Sequence, residues 1–299
     1  MTRGPPDDRD PAALLQFGVL NLDKPPGPSA HQVSGWIRDA VADALADAGR
    51  APIDRAAHAG TLDPKVTGCL PVMLGDATRV AQVFDDSVKE YVAVLELHRA
   101  APADLRETVA EFETTVYQKP PRKSAVRRRL RTRTIHDLDV LEVADRKALL
   151  RVRCASGTYV RKLCHDLGLA LGTGAHMGDL RRTATAPFDD TDLVTLQDLW
   201  DALAAWTAGD PDPLSQVVTP AERALADLPR VTIALSAAAS VADGAPVYAP
   251  GVIASDAADP DGQAVACYTP DGAVVCLGRL VGDPAADRGE VVALDRVLV

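Results

Sequence analysis

At 299 residues and 47% hydrophobic content the chain suits two domains and can bury a sizeable core, although aromatics, at 4%, leave that core to Ala, Val and Leu. There is no apolar run of about 18 residues, and the first eleven residues are polar and proline-rich, so the expectation is a soluble cytoplasmic protein without a membrane partner. Five cysteines with no C-x-x-C pair argue against a disulfide framework and a structural zinc, and a net charge of −10 at face value argues against a polyanionic partner.

Residues 1–14 read as a flexible tail. The run Phe17 to Leu22 reads as a strand that ends in the turn Asp23 to Pro28. Ser29 is placed to cap a helix whose apolar positions Val33, Trp36, Ile37, Ala40, Val41 and Ala44 recur at helical spacing. A Gly- and Pro-containing loop, His58 to Gly68, then leads into the apolar segment Cys69 to Leu74, and a helix is expected from Asp76 to Val83. Strands follow over 91–97, 140–143 and 149–154, and helical periodicity returns at Val160, Leu163, Cys164, Leu167 and Leu171. The glycines at 168, 172 and 174 follow that helix, so they read as its C-terminal turn and not as a phosphate loop. This order gives an α+β domain over 15–205 around a mixed or antiparallel sheet flanked by helices. A linker with a short helix covers 206–227, and 228–299 reads as a small all-β module with a hairpin turn at Thr269 to Gly272.

The charge is unevenly spread. Residues 119–182 hold 16 of the 32 Lys+Arg and 6 of the 42 Asp+Glu, a local +10 against −20 elsewhere. A solvated charged face is the common explanation of such a run, but this asymmetry favours a polyanion-binding surface. Arginine outnumbers lysine 25 to 7 beside abundant Asp and Ala, which fits either adaptation to high salt or a GC-rich genome.

Asp63 sits in the most informative segment, His58-Ala59-Gly60-Thr61-Leu62-Asp63-Pro64-Lys65-Val66-Thr67-Gly68. A carboxylate on a tight loop beside a buried strand can serve as nucleophile or base, although Asp-Pro beside Thr and Gly is also ordinary turn chemistry. The whole string resembles the catalytic motif of the TruB/dyskerin family of pseudouridine synthases. Four further segments resemble motifs of that family in the same order: Asn21 to Ser29, Lys89-Glu90-Tyr91, Gly157 to Leu163, and His176 to Thr183. Gln118 to Leu130 resembles the Gln-x-Pro-Pro segment that leads into an RNA-gripping loop, and Leu228–Val299 looks like a PUA domain, with Asp243 where a His often stands.

The resemblance implies a pseudouridine synthase fold with a small PUA barrel, acting without cofactor or metal. It implies Asp63 as the catalytic residue, Arg161 as its ionic partner, Tyr159 in the same site and Tyr91 stacked on the target base. It further implies RNA contacts at Lys24, His58, Lys119, Arg122, Lys123, Arg127, Arg128, Arg129, Leu180, Arg181 and Arg182. Arg161 and Lys162 open a helix where the macrodipole disfavours cations, so an anion is expected beside them. The wording of the motifs looks archaeal, which implies a catalytic subunit guided by H/ACA RNA that works with small ribonucleoprotein core proteins on ribosomal RNA. The alternatives are a stand-alone enzyme for uridine 55 in the TΨC loop of tRNA, and a non-catalytic RNA-binding scaffold.

Overall fold

The computed structural model describes residues 3–120, 129–257 and 259–299. The strands β1 (Gly18–Lys24), β2 (Ala56–His58), β3 (Thr67–Leu74), β4 (Lys89–Leu97), β5 (Thr115–Gln118), β6 (Arg131–Ala144), β7 (Lys147–Cys154), β8 (Ala175–Thr185), β9 (Phe188–Asp189) and β10 (Thr219–Pro220) form one ten-stranded sheet. Its order is β10-β1-β3-β8-β4-β7-β6-β5, with β2 on β3 and β9 on β8. The pairings are antiparallel except at the centre, where Thr67 and Gly68 of β3 run parallel to Arg181 and Arg182 of β8. The sheet is therefore mixed, and its two halves meet at the joint where the Asp63 loop enters β3. Gly68 is needed there: its φ is +96°, and a Cβ on it would lie 2.2 Å from the Arg182 carbonyl oxygen.

Helices cover this sheet in two groups. α1 (Pro11–Gln16) precedes β1, and α2 (Ala30–Asp47) begins at Ser29, which forms a reciprocal capping box with Gln32. α2 buries Val33, Ile37, Val41 and Leu45 at helical spacing against Leu20, Leu22, Leu70 and Val72 of the sheet. Trp36, assigned by spacing to the buried side, is instead 47% exposed. On the other half, α3 (Leu105–Ala110) and α4 (Val160–Ala170) pack Leu105, Leu163 and Leu167 onto Leu95, Leu150 and Val152. α5 (Leu196–Thr207) returns to the first half, where Leu199 and Leu203 join the α2 core, and α6 (Asp212–Val217) follows. Tyr91 and Leu180 border both cores, at the seam between the halves.

The C-terminal module contains β11 (Arg230–Ile233), α7 (Leu235–Ala242), β12 (Val247–Tyr248), β13 (Val252–Ser255), β14 (Ala264–Tyr268), β15 (Val274–Leu280) and β16 (Glu290–Val297). They make a six-stranded sheet in the order β12-β16-β15-β14-β11-β13, around a core of Val231, Ile233, Val265, Val275 and Val292. A separate cluster joins the two domains: Phe17, Val19, Met73 and Phe84 pack with Tyr268, Val274, Leu277 and Leu298.

Two expectations are corrected. The segment expected as a flexible tail is folded onto the body from Arg3 onward, because its arginines find partners there. Arg3 donates to the Leu298 carbonyl and pairs with Asp76 at 2.8 Å, and its guanidinium lies over the Phe17 ring. Arg9 forks onto Glu222 at 2.6 and 2.8 Å. The segment after β3, expected as an α-helix, is a run of 3-10 turns over Gly75–Phe84, as is Ala221–Leu225.

All five cysteines are buried, so they behave as small hydrophobes. Burial pushes the Cys69 and Cys154 thiols up from 9 to about 11 and Cys164 to about 12, while Cys276 is raised by its hydrogen bond to Cys267 and then by burial. A folded value above the unfolded one gives stability that is complete below about pH 9 and lost as pH rises through the folded value. Lys89, lowered by burial to about 8, and Lys24, also lowered by burial, act oppositely as pH rises toward 10.5, but they are two groups against four thiols, and Tyr91 and Tyr268, both raised by burial, act with the thiols. The urea midpoint should therefore fall between about pH 9 and 11, and Cys164→Ala should flatten the fall. A midpoint that is level across this range, or rises, would contradict this account.

Candidate active site

Asp63 lies at the tip of the loop between β2 and β3, and the backbone around it is held from below. Lys24, wholly buried at the end of β1, donates from Nζ to the carbonyls of Pro25, Pro64 and Val66 at 2.9, 3.1 and 2.9 Å. Gly27 N–H adds a bond to the Pro64 carbonyl at 2.8 Å, and Val66 N–H closes the turn onto the Asp63 carbonyl at 2.9 Å. The loop's leading edge is held by Arg182, which is 1% exposed. Its Nε donates to the Cys69 carbonyl at 2.7 Å, and its two terminal nitrogens reach the Gly60 carbonyl at 3.4 and 3.3 Å. Lys89 is also buried, at 3% exposure, and donates to the Phe84 carbonyl at 3.0 Å and to the Ser87 hydroxyl.

These contacts correct two expectations. Lys24 and Arg182 were expected to meet RNA, yet neither reaches the surface. Each spends its donors on main-chain carbonyls, the partners that make a buried cation tolerable when no carboxylate is available. Arg181 is different again: it forks onto Asp23 at 2.9 and 3.0 Å and stays partly exposed, so its guanidinium is already engaged. Alternation along β8 sends these adjacent arginines to opposite faces of the sheet.

The Asp63 carboxylate itself faces solvent and accepts a hydrogen bond from the Arg161 guanidinium; the two side chains are 54% and 49% exposed. An ion pair this open contributes little to stability. The pair leaves the carboxylate oriented and accessible. Arg161 is the second residue of α4, and Lys162 beside it pairs with Asp166 one turn on. Both cations at this helix start thus have an anionic partner.

Tyr91 is half-buried in β4, directly across from Arg182 in register. Burial raises its pKa, with the Arg182 guanidinium at its hydroxyl pulling the other way, so the phenol is protonated at neutral pH. His58 is half-buried and held below the usual imidazole value by burial first, then by Arg182 and His31. It is neutral at pH 7, which leaves it hydrogen bonding and not charge for any RNA contact. Leu180 is partly buried, and Lys119 and Arg129 are exposed. Arg122, Lys123, Arg127 and Arg128 lie outside the described residues. Among the described residues no group of three or more His, Cys, Asp or Glu side chains is placed to hold a metal, and no helix is long and apolar enough to cross a membrane.

Sequence reasoning took Lys89 and Gln118 only as parts of motifs and gave neither a role of its own. Gln118 is 2% exposed and bonds both backbone polar groups of Tyr159. A lone Lys at a strand start and a Gln before prolines carry no local mark of burial.

Comparison with known proteins fits this geometry. Family models described as the TruB family pseudouridylate synthase N-terminal domain, the tRNA pseudouridylate synthase B C-terminal domain and the PUA domain match residues 50–104, 161–226 and 229–298. A protein of Haloarcula marismortui named probable tRNA pseudouridine synthase B is 66% identical, over 99% of this chain and 93% of its own length. The chain belongs to the TruB family of pseudouridine synthases. It is an RNA uridine isomerase with a C-terminal PUA domain. Among solved structures, it superposes on a chain of a Cbf5-Nop10-Gar1 complex with a TM-score of 0.90 and 41% identity, covering 100% of this chain and 90% of that one. A second match, titled an H/ACA RNP bound to a substrate RNA containing 2'-deoxyuridine, has a TM-score of 0.90 and 39% identity, with the same coverage.

Proposed function

We propose that this TruB-family enzyme isomerises uridine in ribosomal RNA as the catalytic subunit of a guide-RNA particle of the H/ACA type, in the cytoplasm. The observation that carries this reading is the likeness over the whole chain, catalytic and PUA domains together, to a chain solved with Nop10 and Gar1. Small ribonucleoprotein core proteins of that kind are its proposed partners, and no cofactor is proposed.

In the reaction the N1–C1' glycosidic bond breaks and a C5–C1' bond forms. The C5 hydrogen leaves as a proton and N1 gains one, so atoms balance without an added reagent. Asp63 acts first, by covalent addition or by abstracting a ribose proton, and Arg161 keeps its carboxylate ionised and aimed. Tyr91 stacks on the extruded uracil, which offsets part of the unstacking cost, and Leu180 closes over it. Tyr159 serves as general base late in the sequence, and His58, Lys119 and the arginines of the basic stretch contact RNA.

The curated relatives are named as tRNA pseudouridine synthases, which favours tRNA as the substrate of a second reading, taken as that of a stand-alone enzyme. Tritium release from C5-labelled RNA separates the two. The guided reading expects turnover of a ribosomal RNA fragment only when guide RNA and core proteins are present. Full turnover of a tRNA transcript by the purified chain alone would make the tRNA reading the main one.

A further inference from the structure

We propose that Gln118 is a positioning residue for the isomerisation, acting through the backbone of Tyr159 to hold the start of α4, and with it Arg161, against Asp63. The proposal rests on the reading of Tyr159 and Arg161 as site residues given above.

The chain between β7 and α4 is a short turn. Ala155 to Thr158 form a turn, closed by Thr158 Oγ1 on the Ala155 carbonyl at 2.6 Å, with Gly157 in the left-handed region at φ +72°. Tyr159 follows as the N-cap of α4 with extended backbone, φ −95° and ψ 96°, and its side chain makes no capping bond. A helix start without a side-chain cap is a weak point, because its first N–H groups lack intrahelical acceptors.

Gln118 restrains this helix start from a distance of 41 residues in sequence. The Tyr159 N–H donates to Gln118 Oε1 at 2.9 Å, and Gln118 Nε2 donates to the Tyr159 carbonyl at 3.2 Å. The side-chain amide thus makes the two-way bond that a partner strand would make at a single residue. The same Tyr159 carbonyl accepts the Lys162 and Leu163 N–H groups at 2.9 and 3.0 Å, so fixing it fixes the first turn of α4. Arg161 lies in that turn, between the clamped residue and Lys162. Gln118 is almost wholly buried at the end of β5, which is itself paired to β6, so the clamp is mounted on the sheet. Arg133 of β6 closes the other side, its guanidinium packed on Gly157 where a Cβ would stand 2.9 Å away.

No other amide-bearing or carboxylic side chain reproduces this bond pair. Asn is one methylene short of it, and Glu keeps the acceptor for the Tyr159 N–H but turns the donor into a second acceptor facing a carbonyl.

The test uses the full chain, assembled with whatever RNA and proteins give wild-type turnover. Gln118→Ala should lower the single-turnover rate at saturating RNA by about 10- to 100-fold, with RNA affinity within about twofold of wild type. The loss should shrink severalfold in an Arg161→Lys background, because both changes act on one arrangement. Gln118→Glu should recover little of the rate. Hydrogen exchange supplies a readout independent of activity: in Gln118→Ala, protection of peptides covering residues 156–164 should drop at least tenfold while those covering α2 and β15 stay unchanged. Unchanged protection at 156–164 would overturn the proposal, as would a rate within threefold of wild type or a loss fully additive with Arg161→Lys. If the wild type isomerises no RNA at all, the functional reading fails while the exchange result still decides whether Gln118 holds the helix start.

Discussion

Asp63→Asn should abolish pseudouridine formation, lowering tritium release by at least about 1,000-fold, the scale on which acid–base and nucleophilic groups act. The substitution keeps the side chain's shape while removing its charge and its ability to add to carbon or accept a proton. The loop around it is held through main-chain carbonyls by Lys24 and Arg182, so the backbone should not move. The exposed pair with Arg161 contributes within about 1 kcal/mol, so the unfolding midpoint should hardly change. RNA affinity should stay within a few-fold. Undiminished tritium release from the variant would remove Asp63 from the chemistry, whereas no release from the wild type with any RNA would leave the scaffold reading standing.

The second large effect concerns stability, and it separates two neighbouring arginines. Arg182→Met removes the donors from the Gly60 and Cys69 carbonyls inside the protein, which should cost roughly 2–4 kcal/mol after the relief of a buried charge is set against it. The loop then loses its leading-edge anchor, so activity in the folded fraction should fall at least about tenfold. Arg181→Met breaks a partly exposed fork to Asp23 and should change stability by no more than about 1 kcal/mol. Urea unfolding of both variants, with the slope compared to that of the wild type, decides the matter. Equal effects at the two positions would refute the assignment of Arg182 to the interior.

Much of this site can be read from the sequence, and the limits of that reading have physical causes. The Asp63 loop, and the expectation of an anion near the cations that open α4, follow from motif wording and from the helix dipole. The sorting of Lys24, Arg181 and Arg182 does not follow. Whether a cation ends under a loop or in solvent depends on which face of a strand it occupies, and that is set by sheet neighbours distant in sequence. The helical periodicity of α2 was legible, yet Trp36 sits at the edge of the apolar stripe, where spacing alone cannot separate burial from exposure. The 3-10 run over Gly75–Phe84 has helical composition, and its tighter winding is not encoded in apolar spacing. The docking of the N-terminal segment depends on Arg3 and Arg9 reaching Asp76, Glu222 and Leu298, none of which is near in sequence.

The parallel joint between β3 and β8 has a consequence for how the enzyme comes into being. Asp63 and Arg161 are 98 residues apart, Arg182 is 113 from Cys69 and 122 from Gly60, and no local element brings any of these together. Contacts of such sequence separation must wait for large loops to close, which makes them slow to form and late in folding. A chain emerging from the ribosome can complete α2 and the β1–β3 pair long before β8 exists, and during that time the Asp63 loop has no leading anchor. Catalytic competence therefore arrives in one step with the closure of the central sheet. Recovery of activity during refolding should lag behind the recovery of helix content, and partly folded or truncated chains ending before β8 have no site with which to act on RNA.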